Sequence, residues 1–212
     1  TLRALTLPTL AIYIVFTLTK LVGTGVNEVV VNTLYIKQLG WTDIEFTEAS
    51  GLYTLLPILL GTFLGGFAAD RLGRRLVLTL GYGGFAAAAL LFAVSPGMWS
   101  ERWFTVGYVV TFETLVAVGS VGFLSMAMRI SWSTAAATVF TVFMTLSNVS
   151  HVVGNAAAGY VRDWTLNMAT AQGLVDREAE IFSYQWTIGL SGLMTIPVLL
   201  LLLRVRIREV DE

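Results

Sequence analysis

The sequence predicts an all-α membrane protein of six transmembrane helices, and three observations carry that reading. Of its 212 residues, 56% are hydrophobic and only 13% charged, about half the charged share of an average soluble domain. The mean hydropathy is +0.75. Six apolar stretches, at about 8–36, 46–69, 76–95, 103–128, 133–161 and 184–204, each reach the roughly 20 residues a helix needs to cross the hydrocarbon. They lack the alternation of barrel strands, so backbone groups in lipid must be satisfied within helices. The whole chain, 1–212, is read as one bundle.

The first stretch places Lys20 and Glu28 well inside the span. An acid or lysine at a helix centre costs about 2.5 to 3.5 kcal/mol on the insertion scale, and each Leu, Ile, Val or Phe returns about 0.3 to 0.6 kcal/mol. Two charges nearly cancel the apolar residues around them, so this helix requires protein or water beside it. Eight residues of helix set the two about 12 Å apart, and the lean of helical side chains toward the N-terminus turns Lys20 away from Glu28. At about 100° per residue, Lys20, Thr24, Asn27 and Glu28 share one face.

KQLGWTDIE separates the first span from the second, which carries Gly61 and Gly65 in a GxxxG step that permits close helix approach. Pro57 in the second span and Pro197 in the sixth each remove a backbone hydrogen bond and favour a bend. DRLGRR leads to the third span and SPGMWSER to the fourth, which holds Glu113 beneath its outer end. A short RISWS turn leads to the fifth span. There Thr138, Thr141, Thr145, Asn148, His151 and Asn155 recur every three or four residues and line one face. A longer polar loop is expected from Arg162 to Ser183, and Trp41, Trp99, Trp103 and Tyr160 are expected to anchor at the membrane interface.

An even number of spans puts both termini on one side. That side collects Arg3, Arg71, Arg74, Arg75, Arg129, Arg204, Arg206 and Arg208, against Lys37, Arg102, Arg162 and Arg177 on the other. The positive-inside rule makes the first side cytoplasmic. The absence of cysteine excludes a disulfide framework and a thiolate metal site, and a single histidine argues against protein-borne zinc. With a net charge of −1 there is no polybasic surface for nucleic acid. No cofactor is expected. The opening TLRALTLPTLAIYIVF enters the first span with no small-residue cleavage site, so it is not read as a signal peptide. Starting at Thr1, the chain reads as a piece of something longer.

The run Gly66-x-x-x-Asp70-Arg71-x-Gly73-Arg74-Arg75 resembles the signature loop of the major facilitator superfamily, which joins the second and third helices of a six-helix half. The resemblance implies a half-bundle of that superfamily, with Asp70, Arg71, Arg74 and Arg75, framed by Gly66 and Gly73, as a cytoplasmic latch between halves. Asp70 is expected near a helix N-terminus, where a carboxylate gains about 0.3 to 1 kcal/mol. The stretches TLTKLVGTGVNEVVVNTLYIKQLGWT and FETLVAVGSVGFLSMAMRISWSTAAATVFTVFMTLSNVSHVVGNAAAGYV are similar to the carboxyl-terminal half of AmpG-like muropeptide permeases, in the peptide/acetyl-coenzyme A transporter group. The segment from Arg162 to Ser183 departs from them, being longer and more acidic. The likeness implies a bacterial inner membrane, a second six-helix half, and an anionic sugar-peptide moved inward with protons.

Ionisable groups inside spans usually face a cavity or the bundle interior and mark solute or ion paths. The expected path comprises Lys20, Asn27, Glu28, Glu113, Thr141, Thr145, Asn148 and His151, with Lys20 meeting an anionic group and Glu28 or Glu113 carrying the proton. The plainer account is that Thr and Asn bond a neighbouring helix or their own backbone, and that Glu113 and His151 sit in interfacial water. A non-transporting assembly or scaffold protein on the same fold is the alternative. An intramembrane enzyme built on Glu113 and His151 ranks last, because no nucleophile motif accompanies them, and the chain is not expected to be an enzyme.

Overall fold

The computed structural model describes residues 7–130 and 136–204, and every regular element among the described residues is helical. Six helical stretches are long and apolar enough to cross a membrane: Ala11–Lys37, Asp43–Leu72, Arg74–Ala93, Arg102–Arg129, Ala137–Ala171 and Asp176–Leu202. The chain is a multi-pass membrane protein. Residues 131–135, which include the last three of the RISWS turn, fall outside the described residues, as do Arg3, Arg206 and Arg208.

The first span is not the single helix its apolar run suggests. It divides into α1 (Leu7–Thr19) and α2 (Val22–Lys37), with Lys20 and Leu21 between them. Leu21 leaves helical geometry at φ −104° and ψ 2°, and its N–H donates to Ser150 Oγ at 3.0 Å. In a water-free interior such a break persists only if another group satisfies the freed backbone. Ser150 supplies that group from the fifth span.

Beyond Gln38 the chain turns at Gly40 and re-enters through a capping box, in which the Thr42 side chain and the Glu45 carboxylate satisfy each other's backbone N–H. A short α3 (Asp43–Thr47) and a π-turn (Glu48–Leu52) lead into α4 (Tyr53–Leu72). The second span therefore starts earlier than its apolar run, because Asp43 and Glu45 suit a helix's first turn. Only Gly73, at φ +97°, separates α4 from α5 (Arg74–Ala93), a backbone state that glycine adopts without a Cβ penalty. Then come α6 (Arg102–Ile130), α7 (Ala136–Ala171) and α8 (Asp176–Arg204). Pro57 and Pro197 lie inside α4 and α8, which run on through them.

The expected loop from Arg162 to Ser183 is instead a helical hairpin. Helix α7 runs for 36 residues, about 54 Å at 1.5 Å per residue, against a hydrocarbon core of about 30 Å. Its last turns and the first turns of α8 continue past the apolar run and join through residues 172–175. Arg162 pairs with Glu180 and lies 4.6 Å from the centre of the Tyr184 ring. Thr165 Oγ1 meets Ser183 Oγ and Thr187 Oγ1, each at 2.9 Å. The Arg162–Glu180 pair and the shared hydroxyls join the two helices, so this polar sequence continues as helix rather than as a loop.

Packing organises the bundle into two aromatic-rich clusters. One, toward the start of α1, gathers Tyr13, Phe16, Tyr82, Phe123, Met126 and Phe143. The other gathers Tyr35, Phe85, Phe92, Trp99, Tyr108 and Phe112. Trp99, expected as an interface anchor, is buried and donates Nε1–H to the Phe92 carbonyl at 2.9 Å, while Trp103 and Tyr160 are exposed. Buried polar groups also punctuate the bundle near the break: Lys20, Thr24, Asn27, Ser150, Ser191 and Thr195.

Candidate functional site

The break after α1 separates what one continuous helix would have put on one face. Lys20 turns toward α5 and α6, and only 2% of it is exposed. Its Nζ lies 3.2 Å from Tyr82 Oη and 4.0 Å from the centre of the Phe123 ring. Tyr82 Oη in turn lies 3.3 Å from Ser120 Oγ. The Lys20 amine is thus held by one hydrogen bond and lies over the face of an aromatic ring. A solute reaches it only if α1, α5 and α6 part.

Asn27 is fully buried as well, and it ties three helices together. Its Oδ1 accepts from Tyr108 Oη of α6 at 2.6 Å and from Ser191 Oγ of α8 at 3.4 Å, while its Nδ2 has no hydrogen-bond partner. Thr24 is buried and donates to the Leu21 carbonyl at 2.9 Å, within its own turn. The Thr24 hydroxyl and the Asn27 Oδ1 are thus taken up within the bundle.

Glu28 takes a different direction. Its Oε2 lies 2.8 Å from His151 Nε2 of α7, and the two side chains are 52% and 36% exposed. The pair forms because α2 and α7 come very close just below it. A Cβ on Gly25 would stand 2.7 Å from the His151 carbonyl, and one on Gly154 would stand 2.3 Å from the Val22 carbonyl. Glycine at these two positions lets the backbones meet. Glu28, one turn farther along α2, leans back toward its N-terminus and down to the level of His151.

Other exposed polar groups share this surface. Asn148, Thr145 and Thr141 continue along α7, and Asn32 lies one turn beyond Glu28. Thr141 donates to the Ala137 carbonyl at 2.8 Å, so its hydroxyl is already satisfied within α7. Glu113, half-buried on α6, is near enough for its charge and that of Glu28 to act on each other. Asn155 Oδ1, one turn past His151, is buried with no hydrogen-bond partner. Ser150, Tyr82 and Asn32 were not among the expected site residues. Asn32 alone was legible, as a polar residue four positions from Glu28 in an apolar run.

The expected latch segment straddles the sharp turn at Gly73. Asp70 and Arg71 end α4, exposed, and the Arg71 guanidinium lies 4.2 Å from the centre of the Phe67 ring. Asp70 was expected near a helix N-terminus but occupies the last turn of α4, and Gly73 caps α5 with no side-chain bond. Arg74 and Arg75 open α5, half-buried, and Arg74 Nε donates to Ser125 Oγ of α6 at 2.6 Å. A Cβ on Gly66 would meet nothing within 4 Å, so that side of α4 is open to a neighbour.

No protein-family model, curated protein or solved structure matches this chain.

Proposed function

We propose that the chain is one six-helix half of a secondary transporter of the major facilitator type, and that its α2–α7 face borders the solute path. The single observation that carries this reading is the exposed Glu28–His151 pair inside two otherwise lipid-compatible spans. An acid at that depth costs about 2.5 to 3.5 kcal/mol in bare lipid. A wet passage between two halves removes that cost, and ionisable groups in spans commonly mark such passages. The bonding of Arg74 to Ser125 and the tight turn at Gly73 suit a latch that must keep its shape.

In this reading both termini are cytoplasmic, the membrane is a bacterial inner membrane, and the second half belongs to the same polypeptide or to another chain. The solute is a small polar or anionic one, a muropeptide by resemblance, carried with protons. The hydroxyls and amides of Thr145, Asn148 and Asn32 suit a sugar-peptide, which calls for many modest hydrogen bonds. The test is uptake of a labelled muropeptide into vesicles holding the whole protein. Glu28→Gln is expected to uncouple uptake from the proton gradient, and an unchanged dependence on the gradient would remove Glu28 from the mechanism.

The scaffold reading draws on one observation of its own. The enclosure of Lys20 by Tyr82 and Phe123 gives that buried charge a packing role, so Lys20 no longer separates a transporter from an assembly protein. The weight falls on the Glu28–His151 pair alone. Muropeptide-dependent thermal stabilisation of the purified protein distinguishes the two. An intramembrane enzyme on Glu113 and His151 stays last, since His151 bonds Glu28.

A further inference from the structure

We infer that His151, and not Lys20, receives the anionic group of the solute, and that Glu28 occupies that place until a proton neutralises it. This rests on the α2–α7 face being a solute path.

Two basic side chains, Lys20 and His151, lie deep in the described spans. Lys20 is 2% exposed and enclosed. The His151 side chain is 36% exposed, with its Nε2 already on a carboxylate oxygen. A ligand arriving from the open face therefore meets the Glu28–His151 pair. An incoming anion is repelled there by the carboxylate of Glu28. One imidazolium N–H cannot serve two carboxylates in full, and two like charges at one cation repel each other.

A single proton changes this balance. Placed on Glu28, it makes that carboxyl neutral and frees His151 Nε2–H, and the solute's anionic group takes the vacated position. Before and after, the site holds one imidazolium and one partner anion, and no net charge is added. Binding then consumes one proton for each anion. That is coupling built into a pair of side chains 2.8 Å apart. Asn148, one turn before His151, and Asn32, one turn beyond Glu28, stand exposed on either side for uncharged parts of the solute.

The other charged groups on the packed elements do not disturb this count. In the break after α1, Lys20 faces Tyr82 and Phe123, away from the pair. Helix α8 carries its titratable residues at its ends, from Asp176 to Tyr184 and at Arg204, and Lys37, Asp43 and Glu45 lie at the far end of α2 and in α3. Glu113 of α6 is the remaining titratable group within electrostatic reach of Glu28, half-buried on its own helix.

His151 is the sole histidine of the chain, so nitrogen NMR of histidine-labelled protein in nanodiscs reports on this site alone. The probe is methanesulfonate, which stays ionised throughout, with dimethyl sulfone as the neutral control. For the unaltered chain the expected affinity rises about tenfold from pH 6 to pH 5, one proton per anion. Glu28→Gln is expected to bind at least tenfold tighter at pH 6 and to change less than threefold over the same interval. Lys20→Met is expected to leave binding unchanged, and dimethyl sulfone to shift nothing. A pH-independent affinity in the unaltered chain would overturn the inference with no variant needed. So would equal binding by Glu28→Gln and the parent, or loss of binding in a folded Lys20→Met protein. Binding in the expected pattern by a protein that moves no solute would instead sink the transporter reading and leave this inference standing.

Discussion

The ammonium of Lys20 lies 4.0 Å from the centre of the Phe123 ring, at the break between the first two helices. A charge so placed is a packing problem already solved, and its removal should cost little. Lys20→Met keeps the volume, removes a basic group from a water-poor interior, and leaves Tyr82 Oη its contact with Ser120 Oγ at 3.3 Å. Tyr82→Phe does the opposite, keeping the charge and removing its one hydrogen-bond partner. That loss is expected to destabilise by about 1 to 3 kcal/mol. Thermal unfolding in detergent should therefore rank Tyr82→Phe as the more damaging change, and the reverse order would show that the charge itself holds the fold.

Ser150 provides a second handle on the same break. Its hydroxyl is the hydrogen-bond partner of the Leu21 N–H at 3.0 Å. Ser150→Ala leaves that amide without a partner at a site where lipid and packed side chains exclude water, at an expected cost of about 1 to 3 kcal/mol. Hydrogen exchange gives the direct measurement. The Leu21 amide should exchange faster in Ser150→Ala while amides in α5 keep their protection. Equal rates in both proteins would mean that the break is satisfied in some other way.

How far the sequence reveals such features depends on how local their causes are. Six spans are legible because hydrophobicity over about 20 residues is a property of each segment alone. The break at Lys20–Leu21 has no glycine or proline at its centre, and its cause is a serine on a distant helix. Glu28 and His151 were each legible as polar residues at depth, but 123 positions separate them, so their pairing follows from the α2–α7 crossing. The segment from Arg162 to Ser183 shows a different failure. Its polarity predicts a loop beyond the apolar run, yet TLNMATAQ is made largely of residues that tolerate a helix well, and the Thr165, Ser183 and Thr187 hydroxyls close the pair of helices.

The α2–α7 crossing carries its own internal control. A Cβ on Gly154 would stand 2.3 Å from the Val22 carbonyl, whereas one on Gly159, in the same helix, would meet nothing within 4 Å. Gly154→Ala forces backbones apart and is expected to cost about 1 to 3 kcal/mol, the range for overpacking. Gly159→Ala gains the helix preference of alanine over glycine and is expected to stabilise by up to about 1 kcal/mol. Opposite shifts of the unfolding temperature would check the crossing. If Gly154→Ala were neutral, the two helices would have to lie farther apart than described.

Orientation is open to an equally direct measurement, because the chain has no cysteine and needs no background correction for thiol labelling. Gly40, in the turn between the first two spans, and Gln172, at the tip of the α7–α8 hairpin, are both exposed, as is Leu72 beside the arginine cluster at the opposite side. Placed one at a time, Gly40→Cys and Gln172→Cys are expected to react with a membrane-impermeant maleimide on intact cells. Leu72→Cys is expected to react only after the membrane is opened. The physical basis is the arginine excess of the 71–75 turn, which the positive-inside rule holds in the cytoplasm. Six spans also require that position 72 and position 172 fall on opposite sides, since three spans lie between them. Labelling of all three from outside would contradict the span count, and the mirror-image pattern would keep the count and reverse the orientation.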